Sequence, residues 1–380
     1  MTLKLKILTV VGTRPEIIRL SRIIHKLEIN FNHILVHTGQ NYDFYLNDIF
    51  FKQLNIQKPK YNLNCKSKNT IEFIGNVLVK FDQVLDKEKP DAVFVLGDTN
   101  SALVSLCAKK KKIPLYHMEA GNRCFDESVP EEINRRIIDH IADINLTYSS
   151  YASSNLKLEG IHQDKIIKVG SPLFEVYNFY NPRIDSSKII DKLNLKNKDY
   201  ILASIHREEN VDSKNNLQII LKAIFLLQKK LDLPVIFSTH PRTKKRIREF
   251  RLSLANKINF YKPFGFFDYV KLMKKSKLVL SDSGSLTEET SILSIPSLNI
   301  RNSNERQEGM EYGTTIMTNI NLHNIVNSAE IILNKFKKKE INERNDKIYP
   351  DYAEQNVSDK IINIIQSYTH YINKKIWFKF

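Results

Sequence analysis

A chain of 380 residues with 42% hydrophobic content is long enough for about two globular domains with cores of their own. Its 58 Lys and Arg against 42 Asp and Glu leave a net charge of +16, which suits a phosphate ligand, nucleic acid or an acidic membrane surface, although heavy use of Asn, Ile and Lys accounts for the excess equally well. Cys65, Cys107 and Cys124 stand far apart with no CxxC pair, which excludes a disulfide framework and a zinc ribbon and points to a reducing cytoplasm.

The opening MTLKLKILTVVGTRPE has an apolar run too short for a signal peptide, and nowhere do about 18 apolar residues run together, so neither a leader nor membrane insertion is expected. Strand-like runs then alternate with helical patterns: Lys6 to Gly12 and a helix over 15–29, Asn32 to Gly39, Asp91 to Asp98 and a helix over 100–112, Pro114 to Met118, Ile144 to Thr147, and Lys165 to Val169. This is the grammar of a parallel sheet covered by helices. Ser171 to Lys198, with Pro172 and Pro182, reads as a crossover, and a second series follows: Tyr200 to His206, Pro234 to His240, Lys277 to Ser283 and Ile295 to Ile300. These strands run into Ser, Thr, His, Asp or Arg, and the carboxyl ends of parallel strands are where open α/β sheets bind ligands. Two doubly wound domains facing a cleft are expected, with an amphipathic helix from about Val357.

An NAD-dependent sugar enzyme would carry GxGxxG after its first strand, whereas this strand runs into Gly12-Thr13-Arg14-Pro15-Glu16, so no nicotinamide is expected. Arg14 stands at a strand-to-helix junction, where it could meet a phosphate or simply cap a loop. Ser281-Asp282-Ser283-Gly284-Ser285 precedes a helix opened by Glu288 and Glu289. Gly284 and the flanking amides could cradle a diphosphate there, with Glu289 on ribose hydroxyls; an ordinary N-cap explains the serines as well. His117-Met118-Glu119 resembles the start of a zinc deaminase site but lacks the PCxxC that completes one, so no metal is expected. Asp98 and Glu119 follow strands, Glu131 lies on a loop or helix start, and with His206 they would place several titratable groups around the cleft. Glu132 and Arg136 have the spacing of a plain helix pair.

Taken together, GTRPE (12–16), TGQ (38–40), GDT (97–99), HMEAG (117–121), PEEINR (130–135), HREE (206–209), SDSG (281–284) and EE (288–289) resemble the non-hydrolysing UDP-N-acetylglucosamine 2-epimerase family. GNRCFD (121–126), SIHREENVD (204–212), STHPRT (238–243) and FGF (264–266) look like its capsule and O-antigen branch, which includes enzymes forming UDP-N-acetyl-L-fucosamine from the 6-deoxy-talosamine nucleotide. The resemblance implies a GT-B-like pair of Rossmann-like domains, 1–170 and a UDP-binding 171–355, with a helix over 356–380 returning to the first. It implies a UDP-sugar substrate, no cofactor, and a homodimer. UDP would be expelled across carbons 1 and 2 to give a glycal and then added back, with a proton delivered to the opposite face. By motif, Asp98, Glu119 and Glu131 would be the acid and base carboxylates and His206 would support the leaving diphosphate. Arg14, Arg135, Ser283, Gly284 and Ser285 would hold substrate, and Glu289 the ribose. Burial against a neighbour should raise one carboxyl toward neutrality.

The chain departs from the family at Ser285, where a second glycine is usual, and at Glu305-Arg306-Gln307-Glu308 in place of ERPE. After TGQ it reads Asn41-Tyr42-Asp43 where substrate-activated bacterial enzymes carry HREML, so weak or no activation is expected. The competing functions are a GT-B glycosyltransferase, a hydrolysing epimerase, a catalytically dead sugar-nucleotide sensor, and a nucleic-acid binder. The basic runs 109–112 and 337–339 lack interleaved aromatics, so no nucleic-acid partner is expected.

Overall fold

The computed structural model describes residues 4–40, 44–65, 67–311, 313, 315–341 and 348–379. Asn41, Tyr42 and Asp43, on which the expectation of weak activation rests, lie outside them. The chain divides into two compact units, Met1–Asn178 with Asp351–Phe380, and Phe179–Pro350. Each is built on its own parallel sheet.

The first sheet contains β1 (Lys6–Val11), β2 (Asn32–His37), β3 (Tyr61–Asn62), β4 (Ala92–Leu96), β5 (Leu115–Ala120), β6 (Ile144–Thr147) and β7 (Ile166–Lys168), in the order β3-β2-β1-β4-β5-β6-β7. The second contains β8 (Ile201–Ser204), β9 (Val235–Ser238), β10 (Asn259–Tyr261), β11 (Leu278–Ser281), β12 (Ser297–Ile300) and β13 (Thr315–Thr318), in the order β10-β9-β8-β11-β12-β13. The central strands are continuous apolar runs because helices cover both faces of a parallel sheet; all five residues of β4 are buried. Strand order reverses between β1 and β4 in one sheet and between β8 and β11 in the other. At such a switch point the loops from neighbouring strands diverge and leave a crevice at the carboxyl ends.

The helix Arg14–Asn30 has Pro15 in its first turn and buries Ile17, Leu20, Ile23, Ile24 and Leu27, one apolar stripe at helical spacing. The expected helix over 100–112 begins instead as a 3-10 turn, Asn100–Val104, and becomes α-helical over Ser105–Lys110. Strands β3, β10 and β13 are additional to those the sequence predicts; all three are edge strands of two to four residues, too short a run for periodicity to mark. The C-terminal helix Val357–Lys375 packs in the first unit, burying Ile361, Ile365 and Ile372, with Thr369 Oγ1 at 2.9 Å from the Tyr116 hydroxyl. No helix among the described residues is long and apolar enough to cross a membrane.

Candidate active site

In the first unit the loops after β1, β2 and β4 are bound to one another around Gly12. A side chain at Gly12 would collide with the hydroxyls of Ser101 and Thr38, which are 2.7 Å apart. Gln40 Oε1 accepts from the Ser101 amide (3.0 Å) and hydroxyl (2.7 Å). Glu16 completes the set: Oε2 accepts from the amides of Gly12 (2.5 Å) and Thr13 (3.0 Å), and Oε1 from the Thr99 hydroxyl (2.6 Å). Burial pushes the Glu16 carboxyl up to about 7, and nearby Asp98 adds to the rise against the lowering effect of its hydrogen bonds. The carboxyl carried toward neutrality is therefore one that the sequence did not single out.

Asp98 is partly exposed, and Oδ2 receives both Arg135 Nε (3.0 Å) and Nη2 (2.6 Å). The buried Arg135 is itself anchored through Nη1 to Glu132 Oε2 at 2.9 Å. Glu132 and Arg136 do approach, at 3.4 Å, but the Glu132 carboxylate also takes the amides of Cys124 and Phe125, so it is more than a plain helix pair. Glu119 sits at an irregularity in β5 with φ of +68°, a left-handed conformation that costs a non-glycine residue about 1 kcal/mol or more. Its carboxylate lies beside Gly97, the residue before Asp98, and pairs with Arg19 Nη1 at 3.3 Å. Arg19, buried and stacked over the Tyr148 ring, was not anticipated; its signal would have been a second arginine on the helix that follows GTRPE.

A buried chain of polar contacts runs from the Gly97 carbonyl, one residue before Asp98, into the unit. His117 Nε2 is 2.9 Å from the Gly97 carbonyl and Nδ1 is 2.8 Å from Asp139 Oδ1. Asp139 also takes Arg123 Nη1 at 2.7 Å and the Gly121 amide, and Arg123 grips Glu159 with two bonds. Burial alone would push Asp139 up, but His117 and Arg123 outweigh it and hold the carboxyl below its ordinary range. Arg14 opens its helix with its guanidinium over the Phe50 ring. Glu131 is partly exposed in the first turn of the helix Pro130–Ile141. Thus Asp98, Arg135 and Glu119 are brought together, while Arg14 and Glu131 each lie in the first turn of a separate helix.

The second unit has its own cluster at the β8/β11 switch point. Asp282, fully buried, accepts from the amides of His206 (3.0 Å) and Arg207 (2.9 Å) and from Asn210 Nδ2 (2.9 Å). His206 Nδ1 faces its Oδ1 at 3.2 Å, so the carboxylate orients the ring as well as the loop. The Ser283 and Ser285 hydroxyls are 2.9 Å apart, and the Gly284 carbonyl receives Arg306 Nε at 3.1 Å. Arg306 also reaches Glu288 at 3.3 Å. A side chain at Gly284 would strike Glu305, which pairs with Arg301 at 2.7 Å and Arg207 at 3.5 Å. Arg301 is 1% exposed, and its Nε and Nη2 find no hydrogen-bond partner among the described residues. A buried guanidinium with unspent donors is suited to an anionic ligand. Glu289 lies in the first turn of Leu286–Leu293, near Tyr269, whose hydroxyl is pushed above its ordinary range by burial and then by the Glu289 charge.

The Glu16 environment sets a sign for pH dependence. A carboxyl raised from 4.5 to about 7 in the folded state contributes stability that is full below pH 4.5 and is lost as pH rises through 7, about 3 kcal/mol in all. Urea unfolding of wild type and Glu16→Gln at pH 5 and pH 8 should therefore show the wild type losing ground to the variant at the higher pH. A difference that does not change with pH would contradict this.

Residues 25–366 match the family model described as UDP-N-acetylglucosamine 2-epimerase. The chain is 40% identical over 351 residues to UDP-N-acetylglucosamine 2-epimerase of Methanocaldococcus jannaschii, covering 87% of this chain and 93% of that one. The structure of the UDP-N-acetylglucosamine 2-epimerase from Rickettsia bellii superposes with a TM-score of 0.90 at 46% identity, over 99% of this chain and 100% of that one. A crystal structure of the M. jannaschii enzyme in complex with UDP-GlcNAc and UDP gives a TM-score of 0.87 at 37% identity, over 95% and 99%. With the switch-point loops carrying the motifs, these likenesses establish that this chain belongs to the UDP-N-acetylglucosamine 2-epimerase family.

Proposed function

We propose that this protein is a non-hydrolysing epimerase interconverting UDP-N-acetylglucosamine and UDP-N-acetylmannosamine. The observation that carries the reading is the pair Asp98 and Glu119, two carboxylates at the ends of neighbouring strands, each held by its own buried arginine. The proton on carbon 2 of a 2-acetamido sugar is too weakly acidic to leave unaided. Expelling UDP while a base removes that proton gives a glycal, and adding UDP back while an acid delivers a proton to the other face inverts the centre. Such a cycle needs proton-handling groups and strong stabilisation of the departing diphosphate, and no net oxidation.

In this reading Asp98, Glu119 and Glu131 handle the protons, and Arg135 aims Asp98 through two bonds to one oxygen. Arg14, Ser283, Gly284 and Ser285 bind the diphosphate, with His206 supporting the leaving group, Glu289 on the ribose, and Arg19 and Arg301 joining as buried cations. A nucleotide-sugar substrate and three free cysteines support a cytoplasmic setting and a role in surface-polysaccharide precursor synthesis. We also infer a homodimer. Support comes from apolar side chains exposed on the helices Thr70–Glu88 and Pro130–Ile141: Ile71 (78%), Val79 (61%), Ile133 (53%) and Ile137 (38%).

Proton NMR in deuterated water should show loss of the carbon-2 proton of UDP-N-acetylglucosamine as UDP-N-acetylmannosamine appears. Asp98→Asn, Glu119→Gln and Glu131→Gln should each lower kcat by about 100-fold or more; unchanged turnover in any of them removes that residue from the proposal. A folded, UDP-binding protein that leaves this sugar unlabelled would contradict the substrate assignment and favour the 6-deoxy-talosamine nucleotide. Light scattering should give twice the chain mass, falling to one chain in Ile133→Glu/Ile137→Glu; a wild-type monomer would contradict the dimer.

A further inference from the structure

We propose that Glu16 and Thr99 form a positioning bridge for the reaction, fixing the Arg14 loop relative to Asp98 across the β1/β4 switch point. The inference rests on the roles given above to Arg14 and Asp98. A glutamate at the third position of a helix ordinarily reaches back to the N-cap amide, and here that accounts for one contact, with Thr13. Two more contacts exceed what a cap requires. Oε2 also takes the Gly12 amide at 2.5 Å, and Oε1 leaves the helix altogether to take the Thr99 hydroxyl at 2.6 Å.

The two ends of the bridge matter because of what adjoins them. Gly12 and Thr13 lead directly into Arg14, and Thr99 follows Asp98. The strands beneath are in register, with Thr9 opposite Phe94, but pair only over Ile7 to Thr9. Beyond Thr9 the paths to Gly12 and Gly97 have no ladder between them, and the carboxylate supplies the connection. Glu16 is 3% exposed, so the bridge is rigid and sheltered from water. An asymmetric load also falls on Asp98, whose Oδ2 carries both Arg135 bonds. A shift of the Thr99 end would therefore turn the carboxylate about that anchor and misalign it. Neither Glu16 nor Thr99 needs to touch substrate for this to alter the rate.

The decisive variant is Thr99→Val, which keeps the shape and the helix cap and deletes one end of the bridge. It should lower kcat by about tenfold or more, since small misplacements of reacting groups are costly, with little change in KM and a cooperative melt whose Tm falls by no more than about 10 °C, the cost of leaving Glu16 Oε1 without its donor. Glu16→Gln should retain most activity, because its amide can donate to the Thr99 oxygen while its carbonyl still accepts the two backbone amides. Glu16→Ala/Thr99→Val should be no slower than Glu16→Ala alone, the non-additivity expected of two ends of one contact. An active wild type with Thr99→Val folded and within twofold of it in kcat overturns the inference alone. A wild type that epimerises neither UDP-N-acetylglucosamine nor the 6-deoxy-talosamine nucleotide overturns the functional reading and the inference with it.

Discussion

A buried carboxylate at the switch point of each sheet is the constraint on which the two clusters depend. Where strand order reverses, two loops leave neighbouring strands in different directions, and their amides lose the partners a ladder would have supplied. Glu16 takes up such amides after β1 and ties them to the loop after β4. Asp282, after β11, does the same for the amides of His206 and Arg207 after β8. Both are almost wholly buried, a costly state that is sustained because each accepts three or more hydrogen bonds.

The groups to which the proposed function gives the chemistry adjoin these ties. Asp98 stands one residue before the Thr99 end of the Glu16 bridge and is aimed by Arg135; His206 is held by Asp282 through both its amide and its ring. Glu119 is placed differently, by a strained backbone at the end of β5, with the chain His117, Asp139 and Arg123 securing the strand on either side. Strain of this kind persists only where the surroundings over-determine it. The cations are treated alike in both units. Arg19, Arg135, Arg301 and Arg306 are all buried against carboxylates, which compensates the burial of each cation and limits its motion.

Much of this organisation is legible in the sequence, for identifiable reasons. Strands β1, β4, β8 and β11 are continuous apolar runs ending in polar residues, the signature of parallel strands covered on both faces, so both the fold class and the placing of Asp98, Glu119 and His206 at strand ends follow from pattern. Edge strands such as β3 and β10 carry no such pattern. The pairings are hidden because they join residues far apart in the chain: nothing local marks Arg135 as the partner of Asp98 or Arg19 as that of Glu119. Arg301 reads as one more cation in a basic chain until its burial is known. Glu16 is concealed most thoroughly, since an ordinary helix cap explains its presence and only the Thr99 contact shows that it does more.

In the proposed cycle the bond between carbon 1 and the UDP oxygen breaks and re-forms during turnover. UDP-N-acetylglucosamine carrying heavy oxygen in that bridge, incubated with the enzyme and recovered, would test it by phosphorus NMR. Expulsion of UDP frees the β-phosphate to rotate, so the label should scramble into the non-bridging positions at a rate comparable to epimerisation. Epimerised product with its label confined to the bridge would contradict the elimination account and require inversion without cleavage at carbon 1.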